Sequence, residues 1–482
     1  MSEHYDFIIV GSGAGGSAAA HRLAATGKRI LILEKGQPLP GDGSTLDVGT
    51  VFREGRFKSR EPWLDGKGRT VMPEEYFNVG GKTKWYGAAL LRFQPNEFEA
   101  DPQHRCLGWP IAYDDVAPYY DRAERLLMVR HFAIEPELRA ILDHVERQDP
   151  DWREQPLPLG LDPLILNHPE EARHFDGFAS AKDLKSDAEA RFLDALAAAN
   201  HVDLVTGAAV TALEPARDDP RRVAGVRCAD GARYEGDTVL LAAGALHSPR
   251  LLESYLRTTG LASASASFPN VGQNYKCHLN SAVLAISRSR KTDLLRKTVL
   301  LLHPAFPHSS VQTLGWMDGE IVGAQLPGWL PSAVADAVGS RAYGFWLCTE
   351  DGSSPDNRIR AANGAGFPIL DYNPGRLPEA VDEHLRLWRT LRRQLLAAGF
   401  VAFTKPIPLE GTAHACGTLV AGADPAQSVV GADGRAHDLV NLYVVDGSAL
   451  PRSSRVNPAL TIYAWSLRVA DRLADGTEDG NA

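Results

Sequence analysis

Apolar positions fall in short runs along the chain, and their spacing changes from one predicted element to the next. Phe7 to Val10 is continuously apolar, the pattern of a strand buried on both faces. After a cluster of glycines, alanines and leucines recur at helical spacing to about Ala25. A second apolar run, Arg29 to Leu33, ends on Glu34. Thr50 to Thr70 is charged and short of aliphatic residues, which predicts a surface loop. Gly108 to Leu127 reads as a turn and then an amphipathic helix, with Asp114 in the N-cap region and Leu126 and Leu127 on the apolar side.

From Asp187 to Asn200 the pattern predicts an alanine-rich helix, followed by HVDLVTGAAVTALEP, an apolar run of parallel-sheet character. Two alternating strands then flank a turn at Asp230-Gly231, and Thr238 to Leu241 is a fully apolar strand. Leu279 to about Pro408 alternates strand-like runs with Gly/Pro loops and carries one long helical pattern, Pro378 to Ala398. Strand, loop and helix close the pattern over Asn441 to Ala474, and a polar tail is expected after that.

Chemistry enters at the first turn. Gly11, Gly13 and Gly16 stand at G-x-G-x-x-G spacing between the first strand and its helix, and Glu34 follows roughly twenty residues on, as a dinucleotide fingerprint requires. Gly11 permits the tight turn, Gly13 lets backbone approach a pyrophosphate, and Gly16 lets helix and strand pack closely. The helix start offers unpaired N–H groups to phosphate. Glu34 can accept the hydroxyls of an adenosine ribose and would repel a 2′-phosphate. The motif alone leaves NAD and FAD open, and its place in the first strand leans toward FAD. Nucleotide-type elements also stand in the middle and at the end of the sequence, so the cofactor domain is expected to be discontinuous. The division expected is 1–95, 181–278 and 409–482 for the cofactor domain, with the catalytic residues in the last part. Residues 96–180 form a connecting or substrate segment and 279–408 the substrate-binding domain.

Composition narrows the class. The 482 residues carry a formal charge of −9, with 44% hydrophobic and 23% charged positions, so a nucleic-acid surface is excluded. No apolar stretch approaches the roughly 20 residues that span a bilayer. No charged segment followed by an apolar one precedes Tyr5, so a cytoplasmic enzyme is expected. Cys106, Cys228, Cys277, Cys348 and Cys416 are scattered and odd in number, with no C-x-x-C pair. That is neither a disulfide framework nor a zinc or iron–sulfur pattern, and no metal site is expected.

Together these segments resemble the glucose–methanol–choline (GMC) family of FAD-dependent oxidoreductases. The resemblance rests on Gly11 to Glu34, Gly80 to Arg92, GALHSPRLL (Gly244 to Leu252), VGQNYKCH (Val271 to His278), and the pair HACGT with VVDGSALPRSSRVNPALTIYA, in the family's order. It implies an α/β fold, with a Rossmann-like FAD-binding domain and a discontinuous α+β substrate domain on an antiparallel sheet. It also supplies FAD where the fingerprint left the choice open. By the same resemblance, Gly11, Ser12, Gly13, Ala14, Gly15, Gly16, Glu34 and Lys35 would bind the ADP half. Gly80 and Gly81 would lie near the pyrophosphate and isoalloxazine, and Val210 by the adenine. Ala243 and Gly244 would also contact the cofactor, Asp446 and Gly447 would sit by the ribityl–phosphate end, and Asn457 and Pro458 by the ring.

The resemblance further implies a catalytic pair, His414 and Asn457, flanking the flavin N5. The chemistry suits such a pair, because an alcohol gives up a hydride only as its hydroxyl proton departs. Neutral imidazole, with an ordinary pKa near 6.5, is matched to that proton at neutral pH. Asn457 can hydrogen-bond the same oxygen and fix which C–H faces the cofactor. His278 reads as structural, and His437 as part of a hydrophilic turn. Glu350-Asp351 is expected to face the substrate cavity, with Trp85, Tyr86 and Trp346 as candidate walls.

Some sugar-oxidising members tether FAD through a histidine just after the Gly-Gly turn. Here Lys82 to Tyr86 contains none, so the FAD is expected to be held without a covalent bond. Asn457 in place of a second histidine resembles the pyranose-oxidase and cholesterol-oxidase branches. GWPIAYDDVAPYYDRAE resembles the bacterial sugar- and polyol-oxidising branch. The expected substrate is therefore a sugar, glycoside or polyol, with electrons passed to oxygen or an external acceptor. A non-oxidative lyase of the same fold, and an oxidase of an aminoglycoside or another secondary-metabolite alcohol, remain the alternatives.

Overall fold

The first apolar run forms strand β1 (His4–Val10), which pairs in parallel with β2 (Ile30–Glu34) on one side and with Arg233–Leu241 on the other. The computed structural model that shows this describes residues 4–325, 331–362 and 366–478. Val202–Thr206 extends the sheet beyond β2, and Leu442–Val444 pairs in parallel beside Val239–Leu241. The first half of Arg233–Leu241 instead turns into an antiparallel meander with Val223–Cys228 and Val210–Pro215. Five parallel strands drawn from the start, middle and end of the chain thus make one sheet.

Helix α1 (Ala14–Ala24) buries its alanines and Leu23 against this sheet and against the C-terminal helix Ala459–Glu478. The parallel strands end in register: Val10 lies opposite Leu33 and Leu241, and Leu241 lies opposite Val444. The loops leaving those ends carry Gly11, Glu34, Ala242 to Gly244, and Val445-Asp446. In open α/β sheets, ligands bind in the crevice at these carboxyl ends.

A second sheet is antiparallel, with strands in the order Val401–Pro406, Leu279–Ile286, Ala342–Thr349, Ser309–Thr313, Val299–Leu302 and Arg153–Pro156. Its period-two alternation sends Val283, Ala285, Phe345, Leu347 and Val311 into a core shared with helices Pro136–Gln148 and Pro378–Ala397. The other face presents one cross-strand row, Lys405, Ala282, Trp346 and Gln312, to the large cavity.

Several expectations are corrected. Thr50 to Thr70 is only partly a surface loop, since Val51 and Trp63 are buried and Trp63–Asp65 is a short strand. The Asp187–Asn200 helix is irregular, a π-helical turn over Glu189–Leu193 running into a 3₁₀ turn at Asp194–Leu196. The run predicted as parallel after it splits, because Val210–Pro215 pairs antiparallel. Thr238 to Leu241 is no separate strand but the end of Arg233–Leu241. Asp114 is exposed inside a 3₁₀ turn, and its neighbour Asp115 accepts the Ala112 N–H instead. The polar tail begins later than expected, because the last helix continues to Glu478; residues 479–482 lie outside the described residues.

Candidate functional site

One cavity of about 1450 Å³ runs between the two sheets. Ser12, Glu34 and Ala208 to Val210 line one end, and His414, Asn457, Gln312 and Trp346 the other. It exceeds the roughly 300–1,000 Å³ of ordinary small-molecule sites, as a dinucleotide with a substrate beside it would require.

The glycine-rich turn is shaped for such a ligand. Gly11 has φ +105°, and a Cβ at Gly16 would stand 1.9 Å from the Gly11 carbonyl oxygen, so α1 can sit this close only with glycine there. A Cβ at Gly13 would meet nothing within 4 Å, so the backbone at the helix start faces open space. No side chain caps α1, which leaves its first N–H groups available to phosphate. FAD fits this cradle: a phosphate-binding helix start, an acid one strand away, and a broad far end where a ring can meet His414.

Most of the residues expected at the cofactor line this cavity: Gly11 to Gly15, Glu34, Lys35, Gly81, Val210, Ala243, Gly244, Asp446, Gly447, Asn457 and Pro458. Gly16 and Gly80 stand one layer back. Gly16 packs on Gly11, and the Gly80 N–H donates to Ser12 Oγ at 3.1 Å. Glu34 is already engaged, accepting from Ser12 N (3.0 Å), Ser12 Oγ (2.6 Å) and Gly36 N (2.8 Å). Three of a carboxylate's about four acceptor sites are therefore filled by protein donors, leaving room for one ribose hydroxyl more readily than two. Asp446 is likewise committed, taking the Gly244 N–H (2.8 Å), Ser248 Oγ, and the N–H and Oγ of Ser448. Burial raises its pKa against those donors, and its work is to lock the middle segment's turn to the C-terminal one.

At the far end, an antiparallel bridge between Lys276 and Cys416 places His278 and His414 opposite each other, each two residues from the bridge. The bonds form a directed chain. Ser454 O, an acceptor only, lies 2.8 Å from His278 Nε2, so that nitrogen carries the hydrogen. With both rings neutral, His278 Nδ1 is then an acceptor, and the hydrogen in its 3.1 Å contact with His414 Nδ1 belongs to His414. His414 Nε2 is left with its lone pair, toward which Asn457 Nδ2 donates at 3.1 Å. Gln312 Nε2 donates to Asn457 Oδ1 at 2.5 Å and holds the amide in that sense. Burial, then the neighbouring His278, Lys297 and Lys82, push the His414 pKa well below the ordinary histidine value. The ring is neutral at neutral pH.

Glu350-Asp351 corrects an expectation. Neither lines the cavity; both are buried behind it. Glu350 accepts Arg452 Nε (2.9 Å) and Nη2 (2.6 Å), His308 Nδ1 (3.1 Å) and the Ser454 N–H (3.1 Å). Asp351 accepts Ser453 Oγ, Tyr372 Oη and the Cys277 N–H. These two acids fix the loop whose Ser454 carbonyl meets His278. Trp85, Tyr86 and Trp346 do line the cavity. His278 was read as structural, yet it touches His414, and Gln312 carried no motif at all. Only strand pairing brings Gln312 beside Trp346 and so to Asn457.

A family model described as GMC oxidoreductase matches residues 358–466, and one described as FAD dependent oxidoreductase matches residues 6–265. Paromamine 6'-oxidase of Streptomyces fradiae is 30% identical, covering 98% of this chain and 91% of its own. A 6'''-hydroxyparomomycin C oxidase of Streptomyces lividus is 28% identical over the same shares. Among solved structures, pyridoxine 4-oxidase from Mesorbium loti superposes with a TM-score of 0.71 at 20% identity, covering 97% of this chain and 99% of that one, a likeness of fold. Matched from its glycine-rich turn to its C-terminal loop, the chain belongs to the GMC family of FAD-dependent oxidoreductases.

Proposed function

We propose that this chain oxidises a CH–OH group of a sugar, glycoside or polyol, with His414 Nε2 as the base and Asn457 as its partner. The observation that carries the reading is the directed chain from Gln312 to Ser454, which leaves the one unprotonated His414 nitrogen beside the Asn457 amide in the cavity wall. An alcohol oxygen entering between them would take over the Asn457 Nδ2–H from Nε2 and donate its own proton to the lone pair so freed. FAD, when bound, accepts the hydride. Aromatic faces at Tyr86, Trp316 and Trp346, with the paired charges Lys297 and Asp176 at 2.8 Å, suit a hydroxyl-rich ring. The two streptomycete relatives, named for oxidising paromamine and a paromomycin derivative, support the aminoglycoside alternative within the same class.

The FAD is held without a covalent bond, and electrons leave to oxygen or an external acceptor. Segments 1–95, 181–278 and 409–482 make the cofactor domain, 279–408 the substrate domain, and 96–180 a connecting or substrate segment that adds Arg153–Pro156 to the substrate sheet. No helix among the described residues is long and apolar enough to cross a membrane, and five free, buried cysteines suit the reducing cytoplasm.

The test is anaerobic mixing with a panel of sugars, glycosides, polyols and aminoglycosides, following flavin absorbance. His414→Ala should keep FAD and slow reduction by about 10²–10⁴-fold, the usual worth of a positioned base. Asn457→Ala should cost less. Because the base is neutral well below pH 6.5, the wild-type rate should be flat across neutral pH and fall only on the acid side. A His414→Ala enzyme that binds FAD and reduces it at the wild-type rate would remove His414 from the reaction.

A further inference from the structure

We propose that His278 is a second proton station behind His414. As His414 Nε2 takes the alcohol proton, the proton on His414 Nδ1 passes to His278 Nδ1. This inference rests on His414 being the base. In the step, the substrate O–H and the His414 Nδ1–H bonds break, and His414 Nε2–H and His278 Nδ1–H bonds form. His414 ends neutral and the positive charge resides on His278.

Three observations meet at this ring. The first is the 3.1 Å Nδ1 to Nδ1 contact, a geometry that holds one hydrogen between two rings. The second is the backbone. His278 has φ +66° and its acceptor Ser454 has φ +67°, so both residues joined by the 2.8 Å bond lie in the left-handed region that non-glycine residues rarely occupy. Such conformations persist where the surroundings over-determine them, and they cluster at working sites. Here the surroundings are visible: Ser454 is held by Glu350 through its N–H and by Glu97 through its Oγ at 2.6 Å. The third is charge. Lys297 and Lys82 oppose a positive His414, and the transfer moves the charge one ring away, onto a group whose Nε2–H already points at a carbonyl. His278 is 3% exposed, so it meets His414 away from bulk solvent.

His278 therefore acts through His414, and a role in holding the tautomer must be separated from a role in receiving the proton. Two variants do this. His278→Asn tolerates the left-handed backbone and sets its Oδ1 where the imidazole Nδ1 stood, so it can accept the His414 Nδ1–H but cannot take the proton. His278→Gly tolerates the left-handed backbone and presents no acceptor. With FAD bound in full, both variants should reduce flavin about 10²-fold more slowly than wild type, within the range for proton transfer to a positioned group. A proton inventory in mixed H₂O and D₂O should be curved for wild type, reporting two protons in flight, and linear for both variants. In cofactor-free protein with ¹⁵N-labelled histidine, the low-field Nδ1–H resonance of His414 should vanish in His278→Gly.

Wild-type speed in His278→Asn would reduce His278 to an orienting group and overturn the relay, as would a linear inventory in wild type or full speed in His278→Gly. The parent reading is judged apart: an undiminished His414→Ala removes the base itself, whereas a slow His414→Ala with fast His278 variants removes the relay alone.

Discussion

Removing the Glu350 carboxylate tests the frame behind the candidate base. In Glu350→Ala, Arg452 keeps its bonds to Asn96 O (3.2 Å) and Glu99 O (2.8 Å) but loses both bonds from Nε and Nη2. The guanidinium is only 2% exposed, so bulk solvent compensates little for the lost partner. Breaking a buried pair from one side costs about 3–5 kcal/mol. Unfolding entropy of about 2.1 cal/mol/K per residue over 482 residues amounts to about 1 kcal/mol/K, so the melting temperature should fall by about 3–5 °C for one cooperative transition. Differential scanning fluorimetry with released flavin as a second signal reads this directly. Glu350→Leu with Arg452→Met removes both charges and should recover most of the loss.

The pH dependence has a definite sign. Bonds from Arg452 and His308 hold the Glu350 pKa far below the ordinary carboxylate value in spite of burial. Its contribution is therefore complete above the unfolded pKa of about 4.3 and is lost as pH falls from there toward the folded value, so wild type and Glu350→Ala should converge on acidification. A fall below about 1 °C in Glu350→Ala, or a double variant less stable than the single, would refute the reasoning.

Two further outcomes concern the cofactor. Glu34→Ala should weaken FAD binding to apoprotein by about 10- to 150-fold, equivalent to about 1.5–3 kcal/mol for a charge-assisted contact, measured by flavin fluorescence quenching; unchanged affinity would show that Glu34 only holds Ser12 and Gly36. Acid precipitation should release all yellow colour to the supernatant, and colour kept in the pellet would overturn non-covalent binding.

What was legible in the sequence is what local pattern or a contiguous motif encodes. Continuous apolar runs gave β1, β2 and the end of Arg233–Leu241, because strands buried on both faces need no alternation. The glycine spacing marks the phosphate end of the cavity because the Gly16–Gly11 contact acts within six residues. The other half of the site is made by pairing at a distance. Gln312 becomes a neighbour of Asn457 only through the register with Trp346, and His278 meets His414 only through the Lys276–Cys416 bridge. Glu350 reads in the sequence as a loop or strand end facing the cavity, but the buried Arg452 that claims it lies 102 residues away. A single sequence cannot show that competition.

The strand Leu442–Val444 carries a consequence for biogenesis. Its partner Leu241 leaves the ribosome some two hundred residues earlier, a delay of about 10–40 s at about 5–20 residues per second. Throughout that interval one flank of the nascent sheet is open, and the Val445 carbonyl that packs 2.0 Å from a Cβ position at Gly15 has not been made. The glycine-rich turn therefore reaches its final shape only after the last helix docks on α1, with Ser466 Oγ donating to the Gly15 carbonyl. Flavin is therefore expected to load after that docking rather than onto the first strands as they emerge. An exposed, half-built parallel sheet is also the stage at which chaperone capture matters most.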